Sequence, residues 1–135
     1  MNQVKDVNLK KRLLELHYKN KEEHVGSCFS GIEIIDNIFS KMDRDDIFVL
    51  SCGHLGYALY TVLEKYYGID AQELVDKHGG HPHLDEENKI YCSSGSLGLG
   101  ITVAVGRALA NPDRDVYVLI SDGECAEGTI WESLR

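Results

Sequence analysis

Val116-Tyr117-Val118-Leu119-Ile120-Ser121-Asp122-Gly123-Glu124 is the stretch on which the fold turns. Asp115 to Ile120 is strongly apolar and rich in residues that favour extended backbone, so it reads as a β-strand. A carboxylate follows at once, and then a glycine. In open α/β sheets, ligands bind beyond the carboxyl ends of the strands. Asp122 would stand there with an oxygen free for a hard cation such as Mg²⁺, which takes one or two protein carboxylates and fills its shell with phosphate oxygens and water. Gly123 has no side chain, so its N–H could approach a phosphate closely. A simpler reading stands beside this one: an Asp-Gly turn that closes a strand.

Working outward, a second strand is visible at Ile47-Phe48-Val49-Leu50. This unbroken apolar run is expected of a strand buried on both faces. Helical spacing surrounds the two strands. Leu9, Leu13, Leu14 and Leu16 predict a helix from about Asp6 to Glu23, with Asp6 or Asn8 as its cap. His24 to Gly31 is rich in Gly and Ser and reads as a loop. Ile32, Ile35, Ile38, Phe39 and Met42 form the stripe of a second helix, and Asp43 to Asp46 is a turn. Ser51 to Gly53 opens a helix carrying Leu55, Leu59, Val62, Leu63 and Tyr66 that ends at Gly68. Asp70 and Glu73 have capping-box spacing for a short helix ending before Gly79. A loop with His78, His81 and His83 follows. Gly95 to Ala110 reads as a helix whose glycines, Gly98, Gly100 and Gly106, imply close backbone approach to another element. A final helix begins near Ala126. Helices alternating with short apolar strands indicate an α/β fold with a parallel sheet. Two strands are fewer than a sheet usually has, so the sheet is expected to be incomplete at the C-terminus.

The chain has 135 residues, with 14 Lys+Arg against 22 Asp+Glu and a net charge of −8. An acidic chain has no general attraction to phosphate backbones or anionic lipid, which argues against nucleic acid and membrane surfaces. Ile90 to Gly106, an uncharged stretch, is too short and too polar for a membrane span. The charged N-terminus lacks the apolar core of a secretory signal. Cys28, Cys52, Cys92 and Cys125 are scattered without a CxxC pair, so reduced thiols of a cytoplasmic protein are expected rather than disulfides or a thiolate zinc site.

Two further features bear on chemistry. Ser93-Ser94-Gly95-Ser96-Leu97-Gly98-Leu99-Gly100 is a glycine-rich loop running into a helix, suited to phosphates or flat heterocycles, although close helix packing would also explain its glycines. His24, His54 and His81 each lie in or beside a Gly-rich loop, where an imidazole can donate to a ligand or shuttle a proton. Each is also readable as a solvated loop residue. A zinc site on His78, His81 and His83 has no supporting carboxylate or thiolate pattern.

Taken in order, these pieces resemble the N-terminal, diphosphate-binding part of the transketolases. The resemblance runs from about Leu9 to Arg135. It rests on His24-Val25-Gly26, Phe48-Val49-Leu50-Ser51-Cys52-Gly53-His54, Gly80-His81-Pro82, Gly95-Ser96-Leu97-Gly98, and Asp122-Gly123 with Glu127-Gly128. It is nearest the split form, in which the N- and C-terminal halves are separate polypeptides. The resemblance implies a three-layer thiamine diphosphate-binding fold, of which residues 1–135 would be a partial domain ending within the helix after the Asp-Gly motif. It makes Asp122 the Mg²⁺ carboxylate, Gly123 the glycine whose N–H meets the diphosphate, and His54 the imidazole donor to the diphosphate. Gly95 and Leu97 would present backbone to the aminopyrimidine ring. His24 and His81 would line the substrate channel, and Glu127 would belong to the acidic network linking two active sites.

The implied activity is transfer of a two-carbon ketol unit between sugars, in a cytoplasmic homo- or hetero-oligomer. Its cofactors are thiamine diphosphate and Mg²⁺, and its partner is a C-terminal half or a second copy of the chain. The departures are Ser121 where the family has Gly, Val25 where it has Pro, Leu99 where it has Gln, and Cys28 and Phe29 where small residues or Pro are usual. They leave the assigned ligands intact and the sugar open. The asparagine pair that, with a backbone carbonyl, completes the family's Mg²⁺ shell has no counterpart in the thirteen residues after Asp122. The chain alone is therefore expected to be inactive, and the alternative is a catalytically inactive fragment serving only folding or oligomerisation.

Overall fold

A computed structural model describes residues 8–135, and they divide into two compact units. The first takes its described residues from Met1–Lys41 and His54–His81, the second from Met42–Gly53 and Pro82–Arg135.

The first unit is helical. Helix α1, Leu9–Asn20, begins where Asn8 accepts a hydrogen bond from the Lys11 N–H, and it ends at Lys21 in the left-handed region. The expected alternative cap, Asp6, lies outside the described residues. Helix α2 spans Val25–Phe39. This corrects the expectation of a loop over His24–Gly31. Two glycines and two serines give that segment poor helix propensity, but Cys28, Gly31, Ile32, Ile35 and Phe39 fall on one buried face, and burial outweighs propensity. Gly31 sits so close to Leu55 that a Cβ would collide with the leucine side chain. Met42 lies beyond the helix.

Helix α3, Gly56–Tyr67, is buried without a break from Gly56 to Leu63, packs on α1 and α2, and is capped by Gly68 at φ 72°. Helix α4, Ala71–His78, also packs on α3. Asp70 caps it by accepting from the N–H groups of Gln72 and Glu73, and Gly79 ends it. His78, expected in the loop, is the last residue of α4 and is buried. Arg12 pairs with Glu64 at 2.8 Å and Lys65 with Asp36 at 2.6 Å, tying α1 and α2 to α3.

The second unit carries the sheet. Strands β1, Ile47–Leu50, and β2, Val116–Leu119, pair in parallel with Ile47 opposite Val116 and Leu50 opposite Leu119. The turn before β1 is closed by the Asp46 carboxylate, which accepts from the N–H groups of Asp43 and Asp115. Helix α5, Gly100–Ala110, packs on both strands, and α6, Gly128–Ser133, packs on α5. Ile47, Val49, Cys92 and Ala104 form the core there. All four residues of β1 are buried, whereas all four of β2 are only half-buried. None of the four cysteines, all of them among the described residues, is in a disulfide. No helix among the described residues is long and apolar enough to cross a membrane.

The expected helix from Gly95 begins five residues late. Gly98 adopts φ 81°, which a right-handed helix excludes, so residues 95–99 remain a loop. Gly100 does approach another backbone, since a Cβ there would collide with Ser51, but Gly106 has nothing within 4 Å of its missing Cβ. Close approach therefore explains one of the two glycines that lie in the helix. After β2 the chain makes a 3₁₀ turn, Gly123–Ala126, before α6 starts at Gly128 rather than near Ala126.

Candidate cofactor and substrate site

The carboxyl ends of the two strands are where the second unit concentrates its polar groups. Ser51 follows β1 by one residue and Ser121 follows β2 by two. Between them lies Glu124, completely buried. Its Oε1 accepts from the Ser51 hydroxyl at 2.7 Å and the Gly98 N–H at 2.9 Å, and its Oε2 accepts from the Ser121 N–H at 3.0 Å. A buried carboxylate is costly unless such donors surround it. Here one side chain joins the segment after β1, the glycine loop before α5 and the turn after β2.

Glycines allow these segments to come together. A Cβ on Gly53 would lie 2.6 Å from the Ser94 carbonyl, and one on Gly98 would lie 3.1 Å from Cβ of Glu127. The glycine loop and the Asp122–Glu127 turn are thus neighbours in space. Asp122 is exposed, and its carboxylate makes no hydrogen bond or ion pair among the described residues. Around Gly123 the space is open, the nearest atom to a built Cβ being the Ser121 hydroxyl at 3.9 Å. Gly95 and Leu97 lie on the exposed part of the loop, and Glu127 is the exposed residue that precedes α6.

An uncommitted carboxylate beside an unobstructed glycine fits a divalent cation that arrives with its own phosphate oxygens. Among the described residues no group of three His, Cys, Asp or Glu is arranged to hold a metal by itself. A metal at Asp122 would therefore take most of its shell from a diphosphate and water.

The first unit gathers the histidines. The ring centroids of His24 and His54 are 5.8 Å apart, and those of His24 and His81 are also 5.8 Å apart. His24 immediately precedes α2. His54 sits in the 3₁₀ turn Gly53–Leu55, where its carbonyl accepts from the Cys28 thiol at 3.5 Å. Burial, together with the nearby Glu22 charge and against backbone donors from Ala58 and Tyr57, pushes that thiol up to about 11, so Cys28 stays protonated as the donor. His81 follows Gly79 and Gly80, and the buried Tyr60 hydroxyl donates to the Gly79 carbonyl at 3.2 Å. Three residues far apart in the sequence become a trio of imidazoles.

Three residues of these sites were not singled out by sequence. Glu124 and Glu22 each lie within two residues of a recognised motif residue. That proximity was the only available signal, because burial and hydrogen bonding of a carboxylate leave no mark in composition. Tyr60 carried no signal beyond its place on the buried helix.

The fold is α/β, with loops at the carboxyl ends of parallel strands offering a carboxylate and open backbone. That is the geometry of a phosphate- or nucleotide-like ligand site. The family described as "Transketolase, thiamine diphosphate binding domain" matches residues 19–135, and the chain belongs to that family. It is 34% identical to an apulose-4-phosphate transketolase subunit of Phocaeicola vulgatus, over 92% of this chain and 51% of the relative. It is 33% identical to the 6-deoxy-6-sulfo-D-fructose transketolase subunit SqwG of a Clostridium species, over 82% of this chain and 47% of the relative. Similarity extends to the 1-deoxy-D-xylulose-5-phosphate synthase of Fusobacterium nucleatum, at 30% identity over 94% of this chain and 21% of the relative. The chain spans about half the length of the subunit-type relatives it matches.

Proposed function

We propose that this chain is the diphosphate-binding, N-terminal part of a split transketolase that moves a two-carbon ketol unit from a ketose to an aldose. The reading is supported by one observation above others. The glycine loop and the Asp122–Gly123 turn converge at the carboxyl ends of the parallel strands through Glu124, leaving the Asp122 carboxylate uncommitted. A second polypeptide, or another copy of this one, would supply the remainder of the active site, as the word "subunit" in the relatives' names suggests. The place of action would be the cytoplasm.

Thiamine diphosphate, when bound, supplies the electron sink for breaking and remaking the carbon–carbon bond. The chain's own residues bind and orient. Asp122 would hold Mg²⁺, which would offset the diphosphate charge that an acidic chain would otherwise repel. The Gly123 N–H and the His54 imidazole donate to the diphosphate. Gly95 and Leu97 offer backbone to the aminopyrimidine. His24 and His81 bind sugar hydroxyls and move protons there. Glu127 joins the acidic network between two active sites.

The experiment is a ketol-transfer assay of the chain with its partner polypeptide, with thiamine diphosphate and Mg²⁺ supplied or withheld. Transfer that needs both cofactors and drops on His81→Ala is the expected result. A complex that binds cofactor but leaves every ketose–aldose pair unchanged would favour the inactive, assembly-only reading.

A further inference from the structure

Glu22 stands beside the histidine trio and is none of the residues assigned to cofactor or sugar. Its Oε1 lies 2.7 Å from Nδ1 of His24. The same oxygen accepts from the backbone N–H groups of Glu23 at 3.1 Å and His24 at 3.4 Å. Its Oε2 faces Gly80, where a Cβ would come within 2.8 Å. The carboxylate is thus held between the start of α2 and the Gly79–Gly80–His81 turn. No side chain other than glycine's fits at Gly80 without displacing it.

Burial pushes the Glu22 carboxyl up, but donation from the His24 ring and from the two backbone N–H groups outweighs it and holds the carboxyl below its ordinary range. At neutral pH it is ionised. An ionised carboxylate only accepts hydrogen bonds, so the proton between the two side chains belongs to Nδ1 of His24. Histidine has one other nitrogen, and Nε2 of His24 makes no hydrogen bond among the described residues.

We propose that Glu22 is a positioning residue for His24: by accepting from Nδ1–H it fixes the tautomer and rotamer of the ring and reserves Nε2 for a hydroxyl of the sugar substrate. The inference rests on the reading of His24 as a substrate-channel residue. In its neutral form Nε2 accepts the hydroxyl proton: the O–H bond breaks, an N–H bond forms, and the positive charge on the ring is balanced by Glu22. The electron pair left on oxygen becomes the carbonyl of the departing aldose as the carbon–carbon bond breaks, the pair of that bond stays with the two-carbon unit, and Nε2 returns the proton to the oxygen of the acceptor aldehyde when the new carbon–carbon bond forms. A histidine whose first nitrogen is engaged by a carboxylate gains both orientation and basicity at its second. The other titratable groups around the pair are His54 and His81, against the His24 ring, and Cys28 and Tyr57, both of which feel the Glu22 charge. Asp76 faces Tyr57 in turn.

The test is long-range ¹H–¹⁵N correlation spectroscopy of the full chain labelled at histidine, above the range in which its imidazoles protonate. His24 signals are assigned by their loss in His24→Gln. The wild type is expected to show His24 as the Nδ1–H tautomer. Glu22→Ala should shift it toward the Nε2–H form that free histidine prefers. Wild-type His24 in the Nε2–H form overturns the proposal, as does a folded Glu22→Ala chain with the tautomer unchanged. If Glu22→Ala does not fold, the wild-type spectrum alone decides. In the active enzyme Glu22→Ala should lower kcat/KM for the ketose about 10- to 100-fold, with the cofactor-induced rise in Tm intact. An unchanged kcat/KM overturns the proposal. A chain that shows the Nδ1–H tautomer yet transfers no ketol unit rejects the proposed function and leaves the Glu22–His24 pair standing.

Discussion

Glu124 and Glu22 are two carboxylates with opposite surroundings. Glu124 is fully buried and ties three segments by hydrogen bonds. Glu124→Ala strands the Gly98 and Ser121 N–H groups and the Ser51 hydroxyl, at about 1–3 kcal/mol for a buried unsatisfied group. A loss of roughly 3 kcal/mol is expected in urea denaturation, with Glu124→Gln milder because one acceptor oxygen survives. Glu22 is partly exposed, and its pKa is lower in the folded chain than unfolded. Its contribution is therefore fully present above the unfolded value and is lost as pH falls through the folded one. Between those values the unfolded state binds more protons, so stability rises with pH. Urea midpoints followed across the acidic range in which carboxylates titrate should climb less steeply in Glu22→Gln than in the wild type. The thiols also differ. Cys28 and Cys92 are buried with pKa values pushed up by burial, whereas Cys125 is exposed. A maleimide should modify Cys125 first, leaving Cys28 and Cys92 until the chain unfolds.

At the scale of elements, α5 separates two uses of glycine. Gly100 admits no Cβ because Ser51 occupies the space, while Gly106 has open space and a helical backbone. Gly106→Ala should stabilise the chain by about 0.5–1 kcal/mol through backbone entropy. Gly100→Ala should destabilise it and disturb the loop ahead of the helix. Thermal denaturation of the two variants checks both signs. The same helix shows what sequence conveys and what it does not. Its small residues marked close packing, but only a backbone at φ 81° decides that Gly98 lies outside the helix. Similarly, the strands at Ile47–Leu50 and Val116–Leu119 were legible because unbroken apolar runs have few other homes. The start of α2 was not, because its Gly and Ser residues signal a loop locally and its helical state depends on burial of Cys28 and Gly31 by distant residues. Asp70, by contrast, declared its cap by spacing alone and is found capping α4.

For the whole molecule, the histidine trio occupies the first unit, and the glycine loop with the Asp122 turn occupies the second. Which residues are candidates for chemistry was readable from the order of motifs along the chain, since each sits in or beside a Gly-rich segment. How they are held was not readable, because Glu22, Tyr60 and Glu124 act through hydrogen bonds to carbonyls, N–H groups and rings that no local pattern encodes. β2 is half-buried beside a β1 buried throughout, and the chain spans about half the length of its subunit-type relatives.

The proposed chemistry depends on Asp122 as the anchor of a magnesium diphosphate. Its most direct measurement is the melting temperature of the chain assembled with the proposed partner polypeptide, with and without thiamine diphosphate and Mg²⁺, for the wild type and Asp122→Ala. The wild type should melt higher by the equivalent of about 2.7 kcal/mol when free cofactor is a hundredfold above Kd, and Asp122→Ala should lose most of that gain. A wild type indifferent to the cofactor, or an Asp122→Ala variant that keeps the full rise, would contradict it.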